Sequence, residues 1–225
     1  MEKESQTIFD KNVIEFVTVA AEFCNFLEHA DSMKRASFVD TSLKILPLLY
    51  LKASLLPPCE TIGEEAPETY VTEETYEIVR MTLAGLMGEK DDYLEVFVPD
   101  MVYSDQPIRK NISEDLADIY QDIKDFIFVF QLGLNETMND ALAICQENFG
   151  TLWGQKLVNT LRALHDVKYN QPDDAEETDD EEDDDHHCHC HDHGCHCHEE
   201  SGCHCDEEAD DCHCDGEHCH CHDDK

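Results

Sequence analysis

The residues best suited to chemistry lie at the C-terminal end of the chain. The tripeptide Cys-His-Cys occurs there five times: Cys188-His189-Cys190, Cys195-His196-Cys197, Cys203-His204-Cys205, Cys212-His213-Cys214 and Cys219-His220-Cys221. In an extended segment residues i and i+2 project to the same side, so both thiols of one tripeptide can close on one ion while the imidazole between them serves a neighbouring ion. Flanking His186, His187, His191, His193, His198, His218 and His222 bring this end of the chain to ten thiols and twelve imidazoles. At about four ligands per tetrahedral ion, such a set would saturate near about five ions, one per repeat. Thiolate with imidazole suits zinc first, with copper(I) and nickel as alternatives, and argues against magnesium and calcium. The surrounding carboxylates attract cations but oppose thiol ionisation, so capture should release protons and weaken as pH falls. A zinc finger does not fit, because Ala209 is the only apolar side chain other than cysteine between Cys188 and Cys221.

The 225 residues carry 53 acidic and 15 basic side chains, a formal charge of −38. Duplex nucleic acid is excluded as a simple electrostatic partner, because Lys and Arg are needed to displace its counterions. Divided at Asn170, the chain has net −16 before that point and −22 after it. The part before it has the apolar residues for a core, and the part after it does not. Residues 173–185 hold 11 acids in 13 positions, a composition that cannot offset its ordering entropy by burial. The expected organisation is a helical domain over 1–170, a disordered acidic linker over 171–187 and a metal-binding tail over 188–225. The first residues lack a basic stretch followed by an apolar run, and the longest apolar run, near Ile45–Leu51, is too short to span a bilayer. A cytoplasmic protein without a membrane partner is expected, in which dense thiols bind metal; in an exported chain the same cysteines could pair with each other.

The elements that must carry this tail read as helices. Phe9, Val13, Phe16, Ala20, Phe23 and Leu27 recur in steps of three and four and mark one helical stripe. A second helix covers about 37–55, with Phe38, Leu43, Ile45, Leu46, Leu49 and Leu51 as its apolar face; Pro47 should kink it or start a new one, and Pro57-Pro58 ends it. Thr72 is placed to cap a third helix that stops near Gly88, and 91–98 reads as a further helical turn or two. Ser113 is expected to cap a helix carrying Leu116, Ile119, Tyr120, Ile123, Ile127 and Phe130, with Glu114, Asp115, Asp118, Asp122 and Asp125 on a solvated opposite face. Gly133 closes it, Asn135 caps the next, and the apolar series Met138 to Leu164 bends near Gly150 or Gly154. The expectation is an all-α fold, a single bundle of about five to seven helices.

The stretches KILPLLYLKA (44–53), SEDLADIYQDIKDF (113–126) and NFGTLWGQKLVNTLRALH (148–165) resemble the bacterial family catalogued as "domain of unknown function 5063", over about residues 5–168. The resemblance implies an all-helical fold and no assigned activity, and it does not reach the tail. The helical part offers no Glu-x-x-His pairs for a di-metal site, no phosphate loop and no nucleophile elbow. Cys24 and Cys145 fall on or beside apolar stripes, as small buried hydrophobes do; Cys59 reads as a loop thiol, and Trp153, Arg162 and His165 as part of a packed or partially exposed helix end. The reading is a non-enzymatic metal-binding protein that buffers, stores or delivers a transition metal. The alternative is a protein-interaction module whose helical domain binds a protein partner and whose acidic tail is accessory.

Overall fold

The computed structural model describes residues 7–63, 67–95 and 108–171, together with the backbone of short strands at 196–197, 203–204, 212–214 and 219–221. The chain divides into two units, Met1–Pro172 and Asp173–Lys225. The first is all-α. Its described residues form α1 (Lys11–Glu28), α2 (Arg35–Ser54), α3 (Glu73–Met87), α4 (Ile112–Gln131), α5 (Asn135–Asn148) and α6 (Gly154–Tyr169). Among the described residues no helix is long and apolar enough to cross a membrane.

α4 is the axis of this unit and packs against α1, α3, α5 and α6, while α2 closes the bundle against α1 and α6. The reason is visible in its sequence: Leu116, Ile119, Tyr120, Ile123, Phe126, Ile127 and Val129 are all buried, a band wider than one stripe. α1 starts at Lys11 because the Asp10 carboxylate accepts the Asn12 amide at 2.8 Å. Phe9 therefore stands ahead of the helical period and is 60% exposed, and Ile8 is buried in the place expected for it. Val13, Phe16, Ala20, Phe23 and Leu27 lie in the core as their spacing predicts.

α2 runs unbroken through Pro47. Its neighbours Leu46 and Leu49 are fully buried, and this packing outweighs the one main-chain bond that proline cannot make. Leu51, assigned to the apolar face, is exposed instead. Thr72 caps α3 through the Thr75 amide, and Gly88 ends it at φ +55°, a conformation few side chains tolerate.

Further local expectations are corrected, among them the start of α5, where Asn135 is the first helical residue and Leu134 holds the cap position. The segment after Gly88 is a 3₁₀ turn (Gly88–Lys90) followed by β1 (Asp92–Leu94), paired antiparallel with β2 (Arg109–Asn111) in the register Tyr93↔Lys110. Three-residue strands are too short to register as an alternating pattern. Ser113 lies inside the first turn of α4, not at its cap. Its amide and hydroxyl both donate to the Asp91 carboxylate, at 2.7 and 2.6 Å, so a residue from the preceding turn does the capping. The bend near the later glycines takes the form of a π-helical turn, Phe149–Trp153, between α5 and α6.

Candidate functional site

Along α4, Asp115, Asp118, Asp122 and Asp125 recur at steps of three, four and three, and so share one helix face. This face is not the solvated one expected. Asp115 is buried, the other three are half-buried, and only Glu114 is exposed. Each carboxylate has a fixed donor. The Tyr93 hydroxyl and the Asp115 carboxylate are hydrogen-bonded. Asp118 accepts the Tyr76 hydroxyl at 2.8 Å and pairs with Lys156 of α6. Asp122 accepts from the Asn148 amide group at 2.6 Å, and one Asp125 oxygen takes the backbone amides of Tyr70 and Val71, each at 2.7 Å. Burial pushes the carboxyls of Asp115, Asp122 and Asp125 above the usual carboxylate range, and it raises the phenols of Tyr76 and Tyr93 before their carboxylate partners add to the effect. The row is a seam that ties α3, β1, α5 and α6 to α4. Among the described residues of the helical unit, no three His, Cys, Asp or Glu side chains gather to hold a metal ion.

A second polar cluster fastens the loop after α2. From α5, Asp140 accepts the amides of Ile62 and Gly63 at 2.6 and 2.8 Å, and the Asn139 side chain donates to the Glu60 carbonyl at 2.7 Å. Gln146 donates to the Pro57 carbonyl at 2.8 Å. An open groove of about 690 Å³ runs alongside, lined by Leu56, Pro58, Cys59, Glu60, Ala143 and Gln146. Cys59 donates its thiol to Asn139 Oδ1 at 3.1 Å, and burial, with Asp140 and Glu60 beside it, raises its pKa. It is thus held protonated, the opposite of what a nucleophile requires.

The remaining helical-unit groups behave as packing residues. Cys24 is buried and its thiol pushed up to about 12 by desolvation; Cys145 is buried and shifted the same way. The Trp153 indole donates to the Cys145 carbonyl at 3.2 Å from full burial. His29 and His165 are exposed, the first against the Asn25 carbonyl and the second on the Tyr169 ring. Sequence reasoning missed Asp91, Asn139 and Asp140 as structural anchors. The one available signal was Asn139-Asp140 interrupting the apolar series between Met138 and Ala141.

In the second unit the repeats meet as strands. β3 (His196–Cys197) pairs antiparallel with β4 (Cys203–His204), in the register His196↔His204 and Cys197↔Cys203. β5 (Cys212–Cys214) pairs with β6 (Cys219–Cys221), with Cys212↔Cys221, His213↔His220 and Cys214↔Cys219. Ten of the fifteen residues singled out as ligands sit in these strands; Cys188, His189, Cys190, Cys195 and Cys205 lie outside the described residues, as do residues 172–187 of the linker expected over 171–187. Cys-His-Cys reads the same in both directions, so antiparallel pairing sets cysteine opposite cysteine and histidine opposite histidine. Directly opposed residues of such a ladder have Cα atoms about 4.5–5.5 Å apart.

The family profile described as "Domain of unknown function (DUF5063)" matches residues 7–170. Comparison with curated proteins gave no match. Among solved structures, the chain is similar to a Bacteroides fragilis protein from a structural genomics programme, at 75% sequence identity and a TM-score of 0.67. The likeness covers 75% of this chain and 99% of that one, so about a quarter of the present chain has no counterpart there. The family match ends before the first Cys-His-Cys repeat.

Proposed function

The chain belongs to the DUF5063 family, whose description assigns no activity, and we propose that its distinguishing function is capture of a soft or borderline transition metal by the Cys-His-Cys repeats, for buffering, storage or delivery. Zinc is the first choice, with copper(I) and nickel next, by the softness of thiolate and imidazole ligands. The observation that carries this reading is the fivefold recurrence of one tripeptide within 188–221, a segment whose one apolar side chain other than cysteine is Ala209 and which therefore offers its cysteines no core to pack in. The like-with-like register of four of those repeats supports it further, since it gathers cysteines from separate repeats.

The helical unit serves as a non-enzymatic carrier in this reading and is the module through which a protein partner would be met. The aspartates along α4 are committed to structural donors, the unit's thiols are held protonated, and His29 and His165 stand at the surface.

The test is elemental analysis of untagged full-length protein beside a version ending at Pro172, both purified under reducing conditions. Pro172 is the end point because the Gln171 carbonyl accepts from Lys90 and its side chain donates to Asp166, both within the helical unit. The shorter chain should fold, as the solved relative does, and lose nearly all bound zinc. Equal metal content in the two would refute the reading.

A further inference from the structure

We infer that the metal-binding unit of the tail is a pair of repeats folded against each other, and that Cys212, Cys214, Cys219 and Cys221 together form one four-cysteine site for a tetrahedral ion such as zinc. This rests on the metal-binding reading above and replaces its one-ion-per-repeat stoichiometry for the last two repeats.

The register carries it. In a strand, i and i+2 share a face, and directly opposed residues of an antiparallel pair share one too. With Cys212 opposite Cys221 and Cys214 opposite Cys219, positions 212, 214, 219 and 221 occupy one face of the ribbon, and positions 213 and 220 occupy the other. Along each strand the two cysteine positions are about 6.6–6.8 Å apart, and across the ladder about 4.5–5.5 Å. The four Cα positions therefore bound a rectangle whose centre is about 4 Å from each corner, by the same strand spacings. A cysteine can span that distance to an ion with a Zn–S bond of about 2.3 Å. Two-stranded ribbons also twist more strongly than larger sheets, which skews a flat rectangle toward the tetrahedral arrangement zinc adopts.

One repeat alone supplies two cysteine positions on that face, enough for half of a tetrahedral shell, and its histidine position is on the opposite face. Two repeats joined by Asp215-Gly216-Glu217-His218 supply the whole shell from a four-residue connection, a common hairpin length. As the Zn–S bonds form, the four thiols release their protons to solvent, and the neutral thiol set plus a dication becomes a site of net charge −2. His213 and His220 are no part of this shell, and β3 and β4 repeat the same like-with-like pairing with Cys197↔Cys203.

The experiment uses the full-length chain. In a first variant the other six tail cysteines are replaced (C188S, C190S, C195S, C197S, C203S and C205S), leaving repeats four and five. Zinc content by native mass spectrometry and the sulfur-to-cobalt charge-transfer band after cobalt(II) substitution are the readouts. The expectation is one tightly held ion per chain with the cobalt signature of four thiolates. Adding C212S/C214S should abolish that binding altogether, whereas adding H213N/H220N should leave it unchanged. Losing an outer-shell partner already costs about 10–100-fold in affinity, so removing Cys212 and Cys214 should cost more than about 100-fold. Retention of one ion by repeat five in the C212S/C214S variant would overturn the shared site in favour of independent repeats. Loss of binding in H213N/H220N would overturn it in favour of imidazole ligation. Failure of the unmodified full-length chain to bind zinc at all would instead refute the parent reading.

Discussion

Removing the Asp91 carboxylate strands two donors at once, because the amide and the hydroxyl of Ser113 are both buried and both end on it. A buried donor deprived of its acceptor costs about 1–3 kcal/mol, so Asp91→Ala should lower the unfolding free energy by at least that much in urea titration. Asp91→Asn keeps one acceptor oxygen and should lose clearly less. Equal losses in the two variants would mean that the charge near the start of α4, not the pair of hydrogen bonds, is what matters. The same logic explains why Asp140, Asp122 and Asp125 are structural: each accepts from donors fixed by the chain around it. None of this could be read from residue type alone. An aspartate on the polar side of a periodic helix looks solvated until the neighbours of that side are known, and here the loop before α3, α3 itself, β1, α5 and α6 supply the donors.

At the scale of elements, the turn between α5 and α6 shows what a glycine is for. A Cβ on Gly154 would stand 2.3 Å from the Phe149 carbonyl oxygen and 2.9 Å from its ring, closer than any real side chain approaches. Gly154→Ala must shift the π-helical turn that seats the fully buried Trp153, and overpacking of this kind costs about 1–3 kcal/mol. Gly150→Ala has open space around the added methyl and gains helix propensity, so in a thermal melt it should not lose stability; similar loss in both would mean that the contact at Gly154 is not the cause.

The seam on α4 has a pH signature as well. Burial raises the Asp115 carboxyl, so the folded chain binds its proton more tightly than the unfolded chain does, and the stability of the folded state falls as pH rises through the carboxylate range. Lowering pH from about 7 to about 4, the ordinary carboxylate range, should therefore raise the unfolding free energy of the parent chain relative to Asp115→Asn, which cannot titrate; parallel curves would contradict this. Exposed Asp40, held at about 2 by Lys168 and Lys44, acts with the opposite sign below its ordinary range, and its contribution is small because it faces solvent. Helix positions were legible from the three-and-four stripes of α1, α3 and α4. The β1–β2 ribbon and the capping by Asp91 were not, since both depend on partners about twenty residues away that leave no periodic trace.

For the whole molecule, two units of different chemistry share one chain: a helical unit matched by a family profile that ends at residue 170, and a cysteine- and histidine-rich unit beyond that match. Repetition made the second unit's candidate ligands stand out in sequence, and the palindromic tripeptide contained the information for its register, although spacing alone left open which repeats pair. Its charge sets the conditions under which it can work. Residues 171–225 carry 23 acids and one base, a field that draws in a dication but resists turning thiols, with an ordinary pKa of about 8.5, into thiolates. Near neutral pH most of these protons are still bound, so they must leave when metal arrives, and the apparent affinity must fall as pH falls. For the four-cysteine site the limit is four protons per ion, so one pH unit of acidification should weaken zinc binding by up to about 10⁴-fold, each proton contributing a factor of ten per unit. Calorimetric titration of zinc into the full-length chain, repeated in two buffers with different ionisation enthalpies, measures the protons released directly. A value between about two and four per ion is expected when both readings hold. Release near zero would mean that carboxylates or neutral imidazoles, not thiols, are the ligands, because neither has a proton to give up at that pH.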